Sequence, residues 1–194
     1  ADAIEASGWG RRFHFVQPRN LAFWVYLVLV VAGTLLILQY SQPAFQAYQQ
    51  SLALSAIVFG IYTAPLVLFI RHLDRFDSVP GGLAGAAFVW GGFAGTGALA
   101  LGANNAMISF WGRTFGNEFA FDWGAAVTAP YDEEFAKAIG LILLISLAPR
   151  LIRTAFDGLI VGSFIGLGFQ IIENVTYGFN SAKGGFGADQ VGAT

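Results

Sequence analysis

The sequence predicts an all-α protein, a polytopic bundle of about five transmembrane helices forming a single domain over residues 1–194. Three observations carry this expectation. Only 11% of the 194 residues are charged and 56% are hydrophobic, where a soluble domain carries about 25% charged residues. The apolar residues run in unbroken stretches of membrane length, not in the alternation of a β-barrel strand. Lys and Arg collect in alternate connections, as they do in a chain threaded through a bilayer. The net charge of −2 and the lack of a basic stripe speak against a nucleic-acid partner. With no cysteine there are no disulfides and no thiolate metal sites.

Residues 1–20 form a basic flank with Arg11, Arg12 and Arg19 among Trp9, Phe13 and Phe15, and no apolar run of signal-peptide type. The first residue is Ala1, not Met, which points to processing or to a missing upstream piece. Leu21 to Leu38 is a first uncharged span, followed by a polar, uncharged connection over 39–51. Leu52 to Ile70 is a second span that Pro65 should kink. The charged segment Arg71 to Asp77 ends at Pro80-Gly81-Gly82, and a glycine- and alanine-rich third span follows from Leu83 to Met107. Ile108 to Trp123 reads as a mixed loop whose aromatics dip into the interface. Gly124 to Ala148 is a fourth span and Ala155 to Asn180 a fifth, leaving a mobile glycine-rich tail over 181–194.

Seven arginines fall on the N-terminal side of this topology and only Arg113 and Lys183 on the other. That bias predicts an integral membrane protein with a cytoplasmic N-terminus. Glu133 then lies roughly 14 Å below the outer end of span four, and Glu173 roughly 10 Å below that of span five. Asn104 and Asn105 reach the outer half as well. The glycine repeat Gly158, Gly162, Gly166, continued to Phe169 and Glu173, predicts a close-packed face that points Glu173 at a neighbouring helix. Gly91 and Gly95 should do the same in span three.

The fourth span contains the one stretch that apolar packing does not explain. Asp132-Glu133-Glu134 and Lys137 are charged groups inside a membrane span, and such groups are functional candidates by default. Glu133 and Lys137 are four apart and share a helix face, while Glu134 is turned about 100° away. One carboxylate that activates water, facing a second that protonates a leaving amine, suits peptide-bond hydrolysis. A Glu133–Lys137 pair that merely pins helix packing accounts for the same residues.

Glu133-Glu134-x-x-Lys137, preceded by Ala129-Pro130, resembles the EExxK signature of the PrsW family of intramembrane proteases, and Phe169-Gln-Ile-Ile-Glu173 resembles its FxxxE motif. Leu73-Asp74-Arg75-Phe76 with Pro80 is similar to the family's LDR-type loop. The resemblance covers roughly residues 60–180 and implies an endopeptidase that cuts membrane-bound protein substrates near the outer face. It implies Glu133, Glu134, Glu173 and Lys137 as site residues. Whether a divalent metal such as zinc joins them is not readable from the residues. The family's third motif, a His and an Asp on a later span, does not occur in the 194 residues, and His14 and His72 fall on the inner side. The chain is thus expected to be either a piece of a longer protease or, as the alternative, a non-catalytic membrane subunit or scaffold with a membrane protein as partner.

Overall fold

The computed structural model describes residues 12–47, 49–76 and 79–184. Expectations for residues 1–11 of the basic flank and 185–194 of the tail lie outside the described residues. All regular structure among the described residues is helical. Helix α1 is Leu21–Ala47 and α2 is Gln49–Leu73. The third rod comprises α3 (Gly81–Val89), a π-helical segment (Trp90–Ala100) and α4 (Leu101–Phe115). Helix α5 is Asn117–Leu147 and α6 is Ala155–Gly184. Four rods are long and apolar enough to cross a membrane: α1, α2, the third rod and α6. Helix α5 has the length, and the acidic cluster interrupts its apolar run.

Two expected connections are helical instead. In place of the expected polar link over 39–51, α1 continues to Ala47 and α2 begins at Gln49, because the glutamines and alanines there favour helix and no charge opposes it. Residues 108–123, expected as a loop, are helical as well. They form the end of α4 and the start of α5, and the chain reverses at Gly116 alone, with φ 96° and ψ 159°, a region essentially restricted to glycine. The aromatics of this hairpin stack on one another, with Trp111 on Phe115 at 5.8 Å between ring centres. The Trp111 indole N–H also donates to Thr128 Oγ1 of α5 at 3.1 Å. The tail is shorter than expected, since α6 runs on to Gly184.

The end of the bundle that carries the α5–α6 turn is tied by polar side chains. Gln17 and Asn20 donate to the carbonyls of Leu147 and Ser146, satisfying the C-terminus of α5. Buried Asp74 accepts from the Val79 N–H through both oxygens and pairs with Arg71 at 3.3 Å. Arg71 in turn lies 5.0 Å over the Phe164 ring of α6. At the start of α6, Asp157 accepts from the backbone N–H groups of Arg153 and Thr154, and Thr154 Oγ1 accepts from the Asp157 N–H, a reciprocal cap. Val28, Val31 and Leu35 of α1, Ile57 and Ile61 of α2, and Ile142 of α5 are exposed, as lipid-facing side chains should be.

The core contact runs along the third rod. Trp90 is fully buried, Tyr26 packs on it at 5.5 Å, and the Tyr26 hydroxyl donates to the Ala86 carbonyl at 2.7 Å. Gly91 faces the backbone of Ile165, Gly168 faces that of Phe88, and Gly33 of α1 lies against Phe93 and Gly97. The expected stripe of Gly158, Gly162 and Gly166 is corrected here: nothing lies within 4 Å of a side chain added at any of the three. Small residues permit an approach, but a neighbouring backbone must be there to use it, and on α6 that happens at Gly168. Gly91→Ala should therefore lower stability by about 1–3 kcal/mol through overpacking. Gly85→Ala, with open space around it, should be neutral or gain up to about 1 kcal/mol. Thermal unfolding of both variants in detergent checks the pair, and equal midpoints would contradict the close approach at Gly91.

Candidate active site

The acidic cluster occupies the middle of α5, one turn after Pro130, which lacks an N–H and removes one bond from the helix ladder. Adjacent residues on a helix diverge by about 100°, and the two glutamates accordingly part ways. Glu133 turns inward with 14% of its side chain exposed, whereas Glu134 turns outward at 67%. Asp132 Oδ1 accepts from the Glu133 N–H at 2.8 Å, and its Oδ2 is buried without a partner.

Lys137 joins the groups. Its Nζ donates to Glu134 Oε1 at 2.8 Å and stands 3.7 Å from Glu133 Oε2. The same ammonium lies 4.4 Å over the ring of Phe169 on α6, a cation–π contact that gains strength out of water. Phe169 is buried, and one helical turn beyond it Glu173 accepts from the Tyr177 hydroxyl at 3.2 Å. The fully buried Trp90 clamps the other flank: its indole N–H donates to the Ala136 carbonyl at 3.0 Å, and its ring packs on Gly140.

Glu133 and Glu173 open on one cavity of about 260 Å³, which Asn104, Asn105, Phe169 and Tyr177 also line. The side-chain oxygen of Asn104 is buried there without a partner. The cavity has room for several waters and is walled partly by the π segment through Thr96 and Gly97. The wide turn is visible in Thr96, whose hydroxyl donates to the Gly91 carbonyl five residues back at 3.0 Å. Polar residues from three rods thus meet in one cavity. The structure brings Glu133 and Glu173 to one cavity, with Lys137 beside Glu133, and it sets Glu134 outside the cavity, paired with Lys137. Asp132 belongs to the charged turn already expected, whereas Trp90 and Tyr177 are not picked out by the sequence as parts of the site. Tyr177 had a readable signal, four residues after Glu173 on the same face.

A family model described as PrsW family intramembrane metalloprotease matches residues 79–194, more than half of the chain. The match begins beyond the Leu73–Phe76 loop and includes both glutamate motifs. No curated protein and no solved structure gave a match.

The family description implies a metal, and the described residues do not by themselves fit one. Among them no three His, Cys, Asp or Glu side chains come together. Two carboxylates and an amide oxygen face the cavity without an imidazole, whereas catalytic zinc takes three protein ligands rich in nitrogen. An ammonium already stands beside Glu133. Breaking a fully buried ion pair costs about 3–5 kcal/mol. Lys137→Met, with Lys137 23% exposed, should cost somewhat less, about 2 kcal/mol. Glu134→Gln on the exposed side should stay within about 1 kcal/mol of the parent. Denaturant titration in detergent reads both, and equal losses would mean that Lys137 is held by Glu134 rather than by Glu133 and Phe169.

Proposed function

Because the chain belongs to the PrsW family of intramembrane metalloproteases, we propose that it hydrolyses a peptide bond of a membrane-bound protein in the cavity between α5 and α6, near the outer face of the bilayer. The observation that supports this most is the meeting of the two motifs, with Lys137 of the first over the ring of Phe169 in the second. Beside that contact, Glu133 and Glu173 line one cavity with room for several waters. Glu133 takes a proton from water as its oxygen attacks the peptide carbonyl carbon. The carbon–nitrogen bond then breaks as the nitrogen receives a proton from the acid pair, Glu173 being the second acid. Lys137 holds Glu133 in place, and Glu134 holds Lys137, so both are positioning residues.

The chain is an integral membrane protein, and its arrangement supports a cytoplasmic N-terminus in a bacterial plasma membrane. Arg12, Arg19, Arg71, Arg75, Arg150 and Arg153 belong to the segments at one end, with Arg113 near the Gly116 reversal at the other. By helical rise Glu133 is at mid-helix, roughly 21 Å from the inner end of α5 and roughly 24 Å from its outer end, and Glu173 is roughly 27 Å from the inner end of α6. The second reading, a non-catalytic subunit that keeps the acid–lysine network for packing, draws support from the lack of a three-ligand cluster among the described residues.

Reconstitution with single-pass proteins of the host membrane, with products read by mass spectrometry, separates the two. Glu133→Gln and Glu173→Gln should each lower cleavage by at least ~100-fold, the usual loss of a general base or acid, with unfolding midpoints nearly unchanged. Glu134→Gln should lower kcat about tenfold and leave KM alone, the smaller loss of a group that acts through Lys137. Stable glutamine variants at 133 and 173 that cleave like the parent would sink the assignment. A parent that cleaves nothing, and that loses stability on the same substitutions, would establish the subunit reading.

A further inference from the structure

A second cavity lies at the opposite end of the bundle from the glutamates. It is an open pocket of about 450 Å³ lined by Arg12, Phe13, His14 and Gln17 of the N-terminal segment and by residues 147–151 of the α5–α6 turn. Among the described residues no carboxylate lines it. Neither Arg12 nor Arg150 forms an ion pair with a described acid. The C-terminal carbonyls of α5 would ordinarily repel an anion here. Gln17 and Asn20 donate to them instead, at 2.8 and 3.1 Å, and this quenches that end of the helix. What remains is two exposed guanidiniums above an apolar floor of Phe13, Leu147 and Leu151, at the level where a bilayer places its headgroups.

We propose that this inner pocket binds the phosphate of an anionic phospholipid headgroup, with Arg12 and Arg150 on the phosphate oxygens and the acyl region against the apolar floor. Guanidinium forks match phosphate oxygens in pairs, and basic pockets beside membrane helices recognise acidic lipid headgroups. The site is separate from the glutamate cavity and does not rest on the proteolytic reading. It would anchor the N-terminal segment, which itself caps α5, to one leaflet.

Native mass spectrometry of the whole protein in detergent, with phosphatidylglycerol or phosphatidylcholine added at equal concentration, tests it. The parent should retain phosphatidylglycerol preferentially, and the Arg12→Gln/Arg150→Gln double variant should lose about thirtyfold in retention, roughly fivefold per arginine. The Arg19→Gln/Arg75→Gln double variant removes the same charge at the same end outside the pocket and should retain the lipid like the parent. Equal loss in both double variants would reduce the effect to diffuse attraction and overturn the site, as would unchanged retention in the first. Inorganic phosphate at the same concentration should not displace the lipid. If it does, the ligand is a soluble phosphate and the lipid assignment falls.

Discussion

One ammonium group in an apolar bundle sets the terms for the rest of the structure. Lys137 sits where water is scarce, so its charge has to be met by protein. It is met from three directions, by Glu134 at 2.8 Å, Glu133 at 3.7 Å and the Phe169 ring at 4.4 Å. Two of these partners belong to its own helix and follow from spacing alone. The third belongs to α6, and it converts a local pair into a contact between two helices. A cation–π contact has a short reach, so α5, the π segment and α6 must be held close for it to exist.

Glycines and one tryptophan provide that closeness. Gly91 against Ile165 and Gly168 against Phe88 bring the backbones of the third rod and α6 nearly together. Trp90 then fills the angle between the third rod and α5, and its indole bond reaches the Ala136 carbonyl, the residue just before Lys137. The π segment that begins at Trp90 has more residues per turn than an α-helix, and Thr96 and Gly97 from it line the cavity beside Glu133 and Glu173. Tight packing on one side of this segment and open space on the other thus come from the same glycine-rich stretch.

The helical class was readable because charge density and run length are properties of sequence alone, and the charged turn of α5 stood out for the same reason. Connections were harder. A stretch such as 39–51 is polar enough to look like a loop and holds enough helix formers to remain helical. Glycine spacing on α6 drew attention to Gly158, Gly162 and Gly166, although Gly168 is the one that meets a backbone. A repeat of four marks a face, but it cannot say whether lipid or protein covers that face. The inward turn of Glu173 nevertheless came out as expected, because Phe169 and Glu173 share a face with the residues that do pack. Trp90 and Ala136 are 46 positions apart, and no local pattern in either segment announces their bond.

Helical geometry also constrains how adjacent glutamates can divide a task. Two neighbours separated by about 100° cannot both face one small cavity from a rigid helix, and here one side chain is 14% exposed and the other 67%. Adjacent acids are thus poorly placed to act together on one water, and the acid that shares the cavity with Glu133 belongs to the other helix, α6. On this geometry the proposed partners are Glu133 and Glu173, with Glu134 bound to the far side of Lys137. The doubled glutamate is then one inward acid and one outward counter-charge for the same ammonium. With Glu134 on the outward side, Lys137 has a counter-charge besides Glu133, at 2.8 Å against 3.7 Å.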